Sequence, residues 1–150
     1  MKLVVTGTRG IPDIMAGVET HCEELFPRIA AKGVDTTLIR RKDYVRDSLT
    51  EWKGVKLVDI SAPKRKSYEA VVHTFRAVNK AKKLGADVVH IHAEGPAFFS
   101  WLPKIFGKRV VVTIHGIDWK REKWKSGFGS KFIRQGEKNA VKYADEIIVL

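Results

Sequence analysis

Cysteine is almost missing from this sequence. Cys22 is the single one in 150 residues, which excludes an internal disulfide and any cysteine-built metal framework. Such a chain is compatible with a reducing compartment. Long hydrophobic runs are missing as well. No uncharged apolar stretch approaches the roughly 20 residues of a spanning helix, and with a first strand expected to begin at Lys2 no signal peptide is expected. No internal repeat and no low-complexity segment is present. Acidic residues are scarce against basic ones, 17 to 28, which gives a formal net charge of +11. A field of that sign draws anions: nucleic acid, acidic lipid or phosphorylated small molecules.

What is present is enough for one domain with a core, since 44% of the residues are hydrophobic. Leu3-Val4-Val5, ending in Thr6-Gly7, reads as a buried strand. Val18, Cys22, Leu25, Phe26, Ile29 and Ala30 recur at helical spacing, with Pro27 as a bend and Gly33 as a stop. Further strands are predicted over 34–39, 55–60, 87–92, 109–115 and 146–150, with 40–52 as a charged connection. Helices are predicted from a Ser67 cap to Leu84, with Val71, Phe75 and Val78 inward; over 95–106; and over 130–144, with Phe132, Ile133, Gly136, Ala140 and Val141 inward. Apolar strands alternating with helical crossovers imply an α/β fold, an open parallel sheet covered on both faces, as a single domain over 1–150. The sequence stops inside an apolar strand at Val149-Leu150, so a further domain is expected to follow.

In such a sheet, ligands bind beyond the carboxyl ends of the strands. Four segments fall there: Gly7-Thr8-Arg9-Gly10, Ala16-Gly17-Val18-Glu19, His92-Ala93-Glu94-Gly95 and His115-Gly116-Ile117-Asp118. The Gly7–Gly10 loop lets a ligand approach the backbone, and the helix start at Gly17-Val18-Glu19 offers free N–H groups to phosphate. Gly10, Gly17 and Glu19 are therefore the candidate residues for holding a phosphate-bearing ligand. The dinucleotide fingerprint is absent, because Gly7 and Gly10 are three apart and the helix starts well after them. The second strand leads into Arg40-Arg41 rather than an acidic residue, so an NADP site, with arginine on a 2′-phosphate, stays open as an alternative.

His115 ends a strand before Gly116, where it can donate to a sugar hydroxyl or shuttle a proton. His90 and His92 share one strand face. Two histidines without further clear ligands favour packing over a metal site, and neither metal nor cofactor is expected. From Asp118 to Lys142 there are eight Lys or Arg against three Asp or Glu. Within that stretch Trp119, Lys123, Trp124 and Lys125 combine aromatics with cations, which suits an anionic membrane surface. The same mixture suits nucleic acid, so a basic nucleic-acid-binding module is a further alternative. No helix-turn-helix, zinc or RNA-binding signature supports it. Phe98, Phe99, Trp101, Leu102, Ile105 and Phe106 form a second aromatic cluster, read as core or domain interface.

Gly7-Thr8-Arg9-Gly10-Ile11-Pro12, Gly17-Val18-Glu19-Thr20 and Glu23-Glu24-Leu25 resemble the opening of retaining glycosyltransferases of the GT-B fold. The subgroup that includes bacterial rhamnosyltransferases of surface-polysaccharide assembly is the nearest. Asp87–His92, Thr113-Ile114-His115-Gly116, Glu137 and Ala144-Asp145-Glu146 match that group in order, so the likeness runs over nearly the whole chain. It implies the Rossmann-like N-terminal, acceptor-side half of a hexosyltransferase. A C-terminal domain, outside this chain, would hold most of the nucleotide-sugar, and the fragment alone is expected to be inactive. It further implies His115 at the reacting centre, Gly17 facing the donor diphosphate, and Arg9, Glu94 and Asp118 as polar contacts of acceptor or donor. The implied acceptor is a saccharide or a polyprenyl-diphosphate-linked sugar. The implied location is cytoplasmic, peripheral on the inner membrane face, with no nucleic acid as partner. Ala16 departs from the group, which usually has glycine there; if the position needs positive φ, phosphate contact is in doubt.

Overall fold

Alternate residues of the first strand point to opposite sides of one sheet, and each side has its own core. In the computed structural model, which describes residues 1–64, 69–116 and 128–150, that strand is β1 (Lys2–Thr6). It is followed by α1 (Gly17–Ala31), β2 (Asp35–Arg41), β3 (Glu51–Trp52), β4 (Val55–Ile60), α2 (Glu69–Lys83), β5 (Val88–His92), α3 (Trp101–Ile105), β6 (Arg109–Ile114), α4 (Phe128–Tyr143) and β7 (Glu146–Val149). The sheet order is β3-β4-β2-β1-β5-β6-β7, parallel throughout except for β3, which pairs antiparallel with β4. This is the expected Rossmann-like α/β architecture, and every parallel strand ends on the same edge of the sheet.

Leu3 and Val5 of β1 pack with Leu38, Val55, Leu57 and with Cys22 and Phe26 of α1. Val4 packs on the other side with Ile39, Val89, Ile91, Val110, Val112 and with Ala77 and Ala81 of α2. Near-continuous apolar strands are what burial on both faces demands. Cys22 lies in the first of these cores. Burial, and then the charge of Glu19, push its thiol up to about 12, so it is inert at neutral pH.

Four details differ from the sequence reading. The charged connection after β2 contains a 3-10 turn at Lys42–Tyr44 and the two-residue strand β3, too short to leave a periodic signal. The 95–106 segment divides into a 3-10 stretch, Pro96–Ser100, and α3. Phe75 is 48% exposed, because the inner face of α2 belongs to His73, Thr74, Ala77, Val78 and Ala81. Val141 is 71% exposed; the buried stripe of α4 runs through Ile133, Gly136, Asn139 and Ala140. Ser67, the expected cap of α2, lies outside the described residues.

Two polar devices fasten the β2 edge. Arg40 is fully buried and spends all its guanidinium donors inside the protein. Its Nε and Nη2 bond Asp59, its Nη1 bonds Asp47 and the Ile11 carbonyl, and its Nη2 also bonds the Leu49 carbonyl. Burial opposes its charge, but Asp59 and Asp47 more than offset this and raise its pKa. On the opposite side of β2, the His73 ring shares a 3.1 Å hydrogen bond with the Arg40 carbonyl through Nε2.

Burial, offset in part by that bond, lowers the pKa of His73 to about 4 from an ordinary 6.5. The native state therefore refuses a proton that the unfolded chain accepts between these pH values, and stability falls as pH drops through that window. Each tenfold gap in proton affinity is worth about 1.4 kcal/mol, so His73 alone withdraws on the order of 3 kcal/mol between pH 7 and pH 4. Urea titrations at a series of pH values check this: His73→Gln should make the loss shallower by this share, and an equally steep loss in that variant would contradict the assignment.

Candidate active site at the carboxyl edge of the sheet

The loop after β1 crosses the end of β5 at contact distance. Gly7 adopts φ +94°, and a Cβ there would run into the backbone carbonyl and amide of His92. Only glycine permits both the conformation and the approach. Gly10, at φ +137°, is fixed differently: a Cβ would meet the Arg40 stem at 2.9–3.0 Å. Its amide reaches the Thr8 hydroxyl at 3.3 Å. Gly10 is thus a packing position within the loop.

Glu19, in the first turn of α1, folds back onto this loop. Its Oε1 accepts from the Arg9 amide at 2.8 Å and from the Thr8 hydroxyl at 3.2 Å. The residue is 5% exposed, so its carboxylate braces the loop against the helix. The helix end itself is open. No side chain caps it, Gly17 is exposed, and nothing lies within 4 Å of where a Gly17 side chain would begin. The first amides of a helix lack partners within it and carry its positive dipole end, which suits an anionic group. Ala16 is extended, at φ −178°, a conformation open to any residue. Its replacement of glycine therefore brings no strain.

One turn beyond Gly17, three histidines from three elements meet. The Nδ1 of His92, at the end of β5, lies 2.9 Å from the Nε2 of His115, just past β6. The His21 ring, from α1, stands edge-on to His115 at 5.1 Å and tilted to His92 at 6.0 Å. His92 is fully buried, whereas His21 and His115 are half-buried. The ring of His92 stacks on His90 at 4.3 Å, Phe26 packs edge-on against both, and His90 bonds the Thr113 hydroxyl at 2.7 Å. Burial first, then the neighbouring histidines, lower His90 to about 4 and His92 well below the ordinary range. Both are neutral near pH 7, so this pair orients His115 without adding charge.

The remaining expected site residues fall as follows. Arg9 is exposed, with its guanidinium 4.8 Å from the centre of the Tyr44 ring. Beside it, a cavity of about 360 Å3 opens between Pro12–Met15 and Asp43–Asp47, and none of the three histidines lines it. Glu94 lies deeper than the rim, 1% exposed, with its carbonyl pressed against Gly136 of α4, where a Cβ would collide. Ala93 beside it holds φ +77°, a conformation that non-glycine residues rarely adopt. Asp118, Trp119, Lys123, Trp124 and Lys125 lie outside the described residues. The aromatic cluster is mainly internal packing: Phe98 stacks on Phe132 at 4.6 Å and Phe99 is buried, while Ile105 is 68% exposed. His21 was not among the expected site residues. Its one signal in the sequence is its place four residues after Gly17, on the helix turn that faces the strand ends. Of the pair Arg40-Arg41 considered for a 2′-phosphate, Arg40 is not available, because its guanidinium is buried and fully bonded.

The profile of Glycosyltransferase Family 4 matches residues 15–150. No curated protein matches the chain. The sucrose-phosphate synthase of Thermosynechococcus elongatus superposes with a TM-score of 0.74 at 16% identity, over 97% of this chain and 41% of that one. A second structure of that synthase gives 0.64 at 18% identity, over 99% of this chain and 75% of the other. These likenesses establish the fold. The chain spans less than half the length of the first of these structures.

Glu19→Ala should lower stability by about 2 kcal/mol, because it strands the Thr8 hydroxyl and the Arg9 amide. Glu19→Gln, which keeps an acceptor, should recover most of the loss. Equal denaturation midpoints for the wild type and the alanine variant would show that this brace carries nothing.

Proposed function

The chain belongs to Glycosyltransferase Family 4, and we propose that it is the acceptor-side domain of a retaining glycosyltransferase. The enzyme transfers a hexose, rhamnose being the sugar suggested by the sequence resemblance, from a nucleotide-sugar to a hydroxyl of a saccharide or lipid-linked acceptor in surface-polysaccharide synthesis. A second domain holds most of the donor.

The observation that carries this reading is the spacing between the open start of α1 and the histidines. His21 stands one turn after Gly17 and touches His115. A helical turn advances about 5.4 Å, comparable to the span from a diphosphate to the sugar ring it carries. A donor with its diphosphate at Gly17 therefore presents its sugar to His115. In the reaction the bond from anomeric carbon to diphosphate breaks, the acceptor oxygen bonds that carbon through an oxocarbenium-like state, and the acceptor proton leaves with the departing phosphate. Such a reaction needs stabilisation of the leaving diphosphate more than a strong base, and preorganised N–H groups supply it. His115, held by His92, donates a hydrogen bond to a sugar hydroxyl. Arg9 and the cavity beside Tyr44 are suited to the acceptor.

No helix among the described residues is long and apolar enough to cross a membrane. We place the enzyme on the inner membrane face, with the basic aromatic segment Trp119, Lys123, Trp124 and Lys125 touching anionic headgroups and bringing the domain to a lipid-linked acceptor.

His115→Ala in the enzyme that carries this domain should lower kcat by about 100-fold or more, with a melting temperature close to that of the wild type. Loss of folding would instead make His115 structural. Replacing Trp119 and Trp124 by alanine and Lys123 and Lys125 by glutamine should weaken co-sedimentation with vesicles rich in anionic lipid. Unchanged sedimentation would remove the membrane contact.

A further inference from the structure

The meeting of His21, His92 and His115 has a chemical capacity that sugar transfer does not use. Each ring offers one nitrogen, and the three nitrogens lie within 4.8 Å of one another. They come from α1, the end of β5 and the residue after β6, so the fold itself brings them to one point. His92 is a fixed anchor, fully buried between the stacked His90 ring and the edge of Phe26. His21 and His115 are half-buried.

We propose that these three imidazoles capture a divalent transition-metal ion of the zinc type, with the fourth coordination position open to solvent or ligand. Imidazole is a preferred ligand of zinc, copper and nickel. Tetrahedral zinc with bonds of about 2.0–2.1 Å holds its nitrogen ligands about 3.3 Å apart. His92 and His115, now 2.9 Å apart, need to open by a few tenths of an ångström, and His21 needs to swing inward. Neither movement disturbs the buried anchor.

The same geometry limits affinity. Resident zinc sites fix each histidine by a hydrogen bond from its other nitrogen. The Nε2 of His92 has no partner among the described residues, so the site suits reversible micromolar capture rather than a permanent structural ion. Resting on the placement of His115 at the reacting centre, the ion also acts as an inhibitor, since it takes the His115 Nε2 and so breaks the bond to His92 that holds the ring toward the sugar.

Titrating the chain with zinc sulfate in a calorimeter, and with cobalt(II) in a spectrophotometer, tests this. One zinc ion per chain is expected, together with the visible bands of a four-coordinate cobalt site. His21→Ala and His115→Ala should each weaken binding by about tenfold or more, with circular dichroism unchanged. His73→Gln, on the other face of the sheet, should leave it as it is. Binding that survives both alanine substitutions, or no saturable binding at millimolar zinc, overturns the site. Site-specific binding together with an enzyme that zinc does not inhibit upholds the metal site and overturns the placement of His115 at the reacting centre.

Discussion

The absence of a side chain at Gly7 is the constraint on which the upper edge of this domain depends. The backbone after β1 passes so close to His92 that a single methyl group would strike its carbonyl. That approach sets the height of the loop over β5. Glu19 then ties the loop to the first turn of α1 through Arg9 and Thr8. The helix is thereby placed so that Gly17 opens outward and His21 reaches His92 and His115. A loop lifted to make room for a side chain would carry α1 with it and separate the histidines.

The interior face of the sheet under α1 changes character from one side to the other. At β1, β2 and β4 it is aliphatic, with Leu3, Val5, Leu38 and Leu57. At β5 and β6 it carries His90, His92 and Thr113, bonded or stacked with one another and shielded by Phe26. A buried polar set is stable only when its members satisfy each other, and it then becomes rigid. Here the rigid set ends at His115, the half-buried member at the carboxyl edge of the sheet. The packing of His90 and His92 and the position proposed for His115 as a sugar contact are two ends of one network.

Much of the fold was legible because its period is regular. Val4 and Leu3 take opposite faces, α1 shows its apolar stripe, and every predicted parallel strand is present. What was not legible depended on long-range packing. The inward face of α2 goes to small residues such as Ala77 and Ala81, which leaves Phe75 outside; no periodicity count chooses between a phenylalanine and an alanine for a close helix-to-sheet contact. Arg40-Arg41 was read as an alternative seat for a 2′-phosphate by its place after a strand. Asp47 and Asp59, the partners of Arg40, are visible as charges, but the burial that joins them is not. His21 escaped notice because its significance lies in His92 and His115, far along the chain. The places of Gly17 at a helix start and His115 at a strand end were legible; Glu19 was read as a donor contact, and its bonds to Thr8 and the Arg9 amide were not legible.

The central claim is that the start of α1 and His115 hold the two ends of one donor. A crystal structure of the enzyme that carries this domain, bound to a non-transferable nucleotide-sugar, tests it most directly. The diphosphate is expected against the amides of Gly17 and Val18, and a sugar hydroxyl within hydrogen-bonding distance of His115. A donor seated away from both, with the three histidines facing empty solvent, would contradict it.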